Sequence, residues 1–158
     1  MKVIHNLKPI YDKNSKILIL GSMPSIISRN NNFYYANKNN RFWLIINKLY
    51  NVNLRTNEEK KEFLIKNNIA MWDVIKSCEI NNSDDSSIKN IEVNDIKTII
   101  QNSNIKYIYL NGLKAYQIYI KNFKDIKTLY EYLPSTSSAN AKYSFEKLLK
   151  EYKSILKN

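Results

Sequence analysis

Residues 16–43 read KILILGSMPSIISRNNNFYYANKNNRFW. The first six are an isoleucine and leucine run stopped by one of only two glycines in the chain, the pattern of a strand buried on both faces. At the far end, Phe42, Ile45, Ile46, Leu49 and Tyr50 recur at helical spacing, so residues 41–50 are expected as an amphipathic helix. A buried strand feeding a helix through a polar turn opens an α/β fold. The alternation then repeats. Thr56 with Glu59 three residues on forms a capping box for a helix to about residue 67. IAMWDVI (69–75) is a second strand, and Asn94 is placed to cap a helix over 95–102. KYIYLNG (106–112) gives a third strand and 113–122 a helix. IKTLYEYLP (126–134) holds the last strand, and Phe145, Leu148, Leu149, Tyr152, Ile155 and Leu156 stripe a closing helix. The expected architecture is a three-layer αβα sandwich around a central, mainly parallel four-stranded sheet.

Composition bounds what such a fold can do. The 158 residues, 44% hydrophobic, suffice for one core and are too few for two ordinary domains. No repeat or Pro/Gly-rich linker divides them, so residues 1–158 are read as one domain. A net charge of +11 creates a field that attracts polyanions such as nucleic acid, although lysines spread evenly over a surface serve solvation alone. No run is long enough to span a bilayer and the start MKVIHNLKPIYDKNSK lacks a secretory signal, so a cytoplasmic protein is expected. With one cysteine, Cys78, there is no internal disulfide; with one histidine, His5, in a poorly patterned N-terminus, no His/Cys cluster has metal-ligand spacing. No metal or cofactor is expected.

In a parallel sheet the ligand site lies outside the carboxyl ends of the strands, here the loops after Gly21, Val74, Asn111 and Leu133. Three of them hold the densest polar and turn residues of the chain: GSMPS, DVIKSCE and LPSTSSAN. Read from the residues alone, Asn40 caps the helix that starts at Arg41, Tyr35 is a core aromatic, Asp73 pairs with a lysine, and LPSTSSAN is a turn with an N-cap. Each position also admits a functional reading.

The ordered set GSMPS, FYYANKNNRFW, MWDVIKSCEINNSDDSSI, VNDI, NGLKA and LPSTSSANA resembles the uracil-DNA glycosylase superfamily, most closely its hypoxanthine-DNA glycosylase branch, over roughly residues 16–149. The resemblance implies an enzyme that flips a deaminated base out of DNA and hydrolyses its glycosidic bond: hypoxanthine first, uracil or xanthine less directly. Mismatch-specific relatives carry an asparagine that orients the attacking water where this chain has Met23, and a thioether cannot hold that water. The position that matches the catalytic asparagine of the hypoxanthine branch is Asn40. Tyr35 falls where relatives place an aromatic under the flipped base, with Phe33 left to the core. Asp73 falls where they read the base edge; a carboxylate accepts only, so it can take N1–H of hypoxanthine while Ser22 or backbone N–H groups serve O6, but it would take N3–H of uracil equally. Ser22 and Met23 thus join the base-binding set, and Pro134, Ser135, Thr136 and Ser137 match the loop that pinches DNA phosphates. Asn111–Gly112 and Cys78 are read as structural. No lysine matches a Schiff-base nucleophile, so no strand cleavage is expected, and a monomer suits an enzyme that wraps one face around DNA. A uracil- or mismatch-specific DNA glycosylase of the same superfamily and a non-enzymatic basic nucleic-acid-binding domain remain the alternatives; a nucleotide-dependent enzyme would need a phosphate cradle that GSMPS lacks.

Overall fold

The computed structural model describes residues 1–81 and 85–158. The elements run β1 (Lys2–Ile4), β2 (Ile17–Gly21), α1 (Ile26–Asn31), α2 (Phe42–Tyr50), α3 (Asn57–Lys66), β3 (Ile69–Asp73) and β4 (Ile75–Glu79), then β5 (Lys89–Val93), α4 (Ile96–Gln101), β6 (Tyr107–Asn111), α5 (Leu113–Asn122), β7 (Leu129–Leu133) and α6 (Phe145–Tyr152). Positions 82–84, inside the 71–88 stretch that carried the resemblance, lie outside the described residues.

The central sheet has the order β3-β2-β6-β7 with every pairing parallel. Period-two alternation divides its side chains between two cores. Ile17 and Ile19 of β2 point to a core shared with α2, α3 and α6, while Leu18 and Leu20 point to one shared with α4 and α5. The expected αβα sandwich is therefore present. Its α3 is opened by the Thr56/Glu59 capping box as read from sequence.

Four differences from the sequence reading bear on the site. IAMWDVI is not one strand: β3 ends at Asp73, Val74 N–H donates to the Gly21 carbonyl at 2.9 Å, and from Ile75 the chain enters a second, antiparallel sheet of order β1-β4-β5. Val74 and Ile75 stay buried in the second core, so the apolar run continues through a change of sheet. Helix α4 is capped by Asp95, whose side chain accepts from Thr98 N–H; Asn94 is instead buried and its amide donates to the Asp73 and Ile75 carbonyls at 2.9 and 3.1 Å, bracing the break. The turn after Gly21 contains a short helix, α1, with Ser25 as N-cap and left-handed Asn32 as C-cap. Last, residues 5–10 are strapped to the sheet: His5 N–H donates to the Lys76 carbonyl at 2.7 Å, Ile10 bridges Met71, and Tyr34 and Trp72 donate to the Lys8 and Leu7 carbonyls. Among the described residues no helix is long and apolar enough to cross a membrane.

Candidate active site

The carboxyl ends of β2, β3, β6 and β7 surround a cavity of about 170 Å³. Residues 21–25 form one wall, Tyr34, Tyr35, Asn37 and Asn40 a second, Asp73 and Asn111 the floor, and Ser135 to Ser138 the far rim. The structure thus brings Ser22, Met23, Tyr35, Asn40, Asp73, Ser135, Thr136 and Ser137 to one place. Pro134 is not in the lining; it is buried under the rim, its carbonyl accepting the Tyr152 hydroxyl at 2.7 Å.

Gly21 stands at the centre for a reason the sequence reading did not give. Its backbone needs no left-handed conformation, but a Cβ there would lie 2.5 Å from Asp73 Oδ1 and 3.0 Å from the Tyr35 hydroxyl. The close neighbours are the protein's own carboxylate and phenol, and only hydrogen fits beneath them. Gly112 differs: its φ is +104°, and a Cβ would meet Ser135 Cβ at 3.3 Å, where the strand turns against the rim loop.

Among the described residues that line the cavity, Asp73 is the only charged one. It pairs with no lysine; Oδ2 lies 2.8 Å from His5 Nε2, with the two side chains 5% and 2% exposed. Histidine, set aside in the sequence reading with its unpatterned segment, is therefore part of the site's support, carried there by the strap of residues 5–10. Nothing in the local pattern signalled it, because backbone bonds to Lys76 and Met71 place it.

Tyr35 has a left-handed φ of 53°, unusual for an aromatic residue, and its ring stacks on Phe42 with centroids 4.3 Å apart and planes 23° apart. One ring face is thereby covered, and the residue lines the cavity. Its hydroxyl is buried with no well-formed hydrogen bond; burial first and the Asp73 carboxylate second push its pKa up, while the nearby Asn111 amide pulls the other way. Tyr34 is raised by the same two causes and donates to the Lys8 carbonyl at 2.7 Å. Both phenols stay neutral at ordinary pH. Asn40 does bind the start of α2: its side-chain oxygen accepts from Phe42 N–H at 2.9 Å, which fixes the amide at the cavity edge.

The rim is held from below. Thr136 is 1% exposed, and it exchanges two 3.1 Å hydrogen bonds with the Asn111 side chain. Arg41, which the sequence reading passed over, spreads its guanidinium under the same loop and donates to the carbonyls of Thr136, Ser137, Asn140 and Tyr143. Its backbone N–H adds a bond to the Thr136 carbonyl at 3.0 Å. Among the described residues, no three His, Cys, Asp or Glu side chains gather where they could hold a metal ion.

A parallel sheet with a cavity at its carboxyl edge, where Asp73 is the one charge among the described lining residues and a serine-rich loop forms the rim, defines a class of α/β proteins with a strand-end ligand site. The chain belongs to the uracil DNA glycosylase superfamily, whose family model matches residues 8–157. It is 35% identical over 138 residues to the hypoxanthine DNA glycosylase of Methanosarcina acetivorans, covering 85% of this chain and 87% of that one. With the protein of the same name from Methanosarcina barkeri it shares 32% over 110 residues, 68% of this chain and 70% of the relative. A solution NMR structure of a candidate uracil DNA glycosylase from Methanosarcina acetivorans superposes with a TM-score of 0.82 at 30% identity, covering 98% of this chain and 99% of the other.

Proposed function

We propose that this protein is a monofunctional DNA N-glycosylase that draws a deaminated base, hypoxanthine foremost, into the cavity above Gly21 and hydrolyses its bond to the sugar. The observation that carries the reading is the Asp73 carboxylate, the one charge among the described lining residues, at a cavity that the fold places at a strand-end ligand site. Hypoxanthine presents N1–H where adenine presents a bare ring nitrogen, so an acceptor on the floor favours the deaminated base. The other residues divide the remaining work. Asn40, anchored through Phe42 N–H, retains a lone pair and an amide to orient water towards C1′. Ser22 and backbone N–H groups of the first loop meet O6, Met23 packs beside the base, and Tyr35 stacks on it, worth about 1–3 kcal/mol. Ser135 and Ser137 contact phosphates, with Pro134 and Thr136 shaping the loop that presents them.

As the C1′–N bond breaks, its electron pair leaves with the base and positive charge develops on the sugar; the oriented water adds to C1′, and its surplus proton passes to the departing base anion, so that base and abasic sugar both leave neutral. The lining contains no lysine, which fits hydrolysis without a Schiff base and an intact strand carrying an abasic site. Uracil offers Asp73 the same kind of donor through N3–H, so its release at a lower rate belongs to this reading. We place the enzyme in the cytoplasm, acting as a monomer on DNA.

The test is single-turnover base release from duplexes carrying one deoxyinosine or one deoxyuridine opposite T or G. Hypoxanthine release leaving alkali-labile, uncut strands is expected. Duplex binding without release from any deaminated base would overturn the reading in favour of a nucleic-acid-binding domain.

A further inference from the structure

We infer that His5 is a positioning residue for base recognition: it holds the Asp73 carboxylate so that Oδ1 faces the extruded base as a fixed hydrogen-bond acceptor. The inference rests on the base-excision reading and supplies the device behind its selectivity.

Two hydrogen bonds and two flanking rings fix the imidazole. Nδ1 accepts Leu7 N–H at 3.2 Å, and a ring nitrogen that accepts carries no proton. The proton of the neutral ring therefore sits on Nε2, 2.8 Å from Asp73 Oδ2. Tyr34 and Trp72 flank the ring with centroids 6.3 Å away, one tilted and one edge-on. His5 is not in the cavity lining and Asp73 is, so whatever His5 does to the base it does through Asp73. With Oδ2 engaged, Oδ1 is left over Gly21, in the space a Cβ would take.

The consequence is geometric. A carboxyl group without its buried partner can rotate, and an oxygen that swings away no longer meets the N1–H of the base. Held by His5, Oδ1 keeps one orientation over Gly21, where its lone pairs take the N1–H of hypoxanthine and oppose the bare N1 of adenine.

The test compares the parent, His5→Phe, His5→Gln, Asp73→Asn and the His5→Phe/Asp73→Asn double variant in single-turnover hypoxanthine release, with thermal unfolding of each. His5→Phe is expected to slow the saturated step about tenfold or more while duplex affinity holds, because the carboxylate has lost the donor that orients it. Glutamine, whose amide can donate to Oδ2, is expected to recover most of the rate. The double variant is expected to lose no more than Asp73→Asn alone. Parental rates in His5→Phe, or losses that add in the double variant, would overturn the inference. The nitrogen-15 spectrum of the imidazole reads the pairing without substrate: an Nε2-protonated ring that responds to Asp73→Asn is expected, and an Nδ1-protonated ring would overturn it. A parent that releases no base would strike the glycosylase reading instead.

Discussion

On the proposed reading Asn40 carries two duties that a single substitution confounds. Its side-chain oxygen satisfies Phe42 N–H, one of the unpaired donors at the start of α2, and the same group borders the cavity. Asn40→Ala should therefore cost about 1 kcal/mol of stability through the lost cap and slow base release by about 100-fold or more through the lost water contact. Asn40→Ser separates the two, since a serine hydroxyl also caps: its unfolding midpoint should return close to the parent while release stays slow. A serine variant that regains both would reduce Asn40 to a helix cap. The contact was legible only in part: the sequence placed Asn40 as the cap of a helix starting at Arg41, whereas α2 starts at Phe42 with Arg41 as its N-cap, and Asn40 reaches Phe42 N–H from one residue further out. Gly21 was legible as special, but its reason was not, because the atoms it makes room for come from 14 and 52 positions further on in Tyr35 and Asp73.

Between elements, Arg41 joins the first turn of α2 to the loop that follows β7. Four carbonyls from residues 136–143 converge on one planar guanidinium, a geometry an ammonium cannot reproduce. Arg41→Lys should keep the charge yet loosen the rim: we expect a loss of about 1.5–3 kcal/mol in denaturant unfolding and weaker binding of deoxyinosine duplex, with single-turnover release at saturation changed less than affinity. Saturated release falling as far as affinity would place Arg41 in the chemistry rather than under the loop. The alternating strands and helices were readable from short-range periodicity, each boundary falling within a few residues. Four features escaped for physical reasons. IAMWDVI stays apolar across the step from one sheet to another, because both sides are core. Helix α1, six residues ending in SRNN, has no apolar stripe to announce it. The β1-β4-β5 sheet and the His5 strap are specified by pairing with distant strands, not by their own pattern.

Across the whole molecule, tyrosine burial makes a pH prediction. Of twelve tyrosines, Tyr34, Tyr109, Tyr119 and Tyr152 are buried in the two cores, and burial raises the pKa of each above the ordinary 10.0. Tyr119 is pushed up to about 12, by burial first and then by Tyr130 and Asp125. The sign follows from linkage. Above pH 10 the unfolded chain releases phenolic protons that the folded chain keeps, so the unfolded state binds fewer protons and stability falls as pH rises. Each such group contributes fully below its unfolded pKa, and its contribution is lost up to and through the folded one. Lysines lose charge over the same range, which relieves the repulsion of a +11 molecule and opposes the trend. Tyr119→Phe isolates the phenol from that background. The Tyr119 hydroxyl is buried with no hydrogen-bond partner among the described residues, so its removal should leave the urea midpoint at pH 8 unchanged or slightly higher. Between pH 10 and 12 the variant should decline less steeply than the parent, by up to about 1.4 kcal/mol per pH unit. Urea titrations of the pair at half-unit steps read the difference directly; parallel curves through that window would mean that Tyr119 ionises in the folded protein as easily as in the unfolded one.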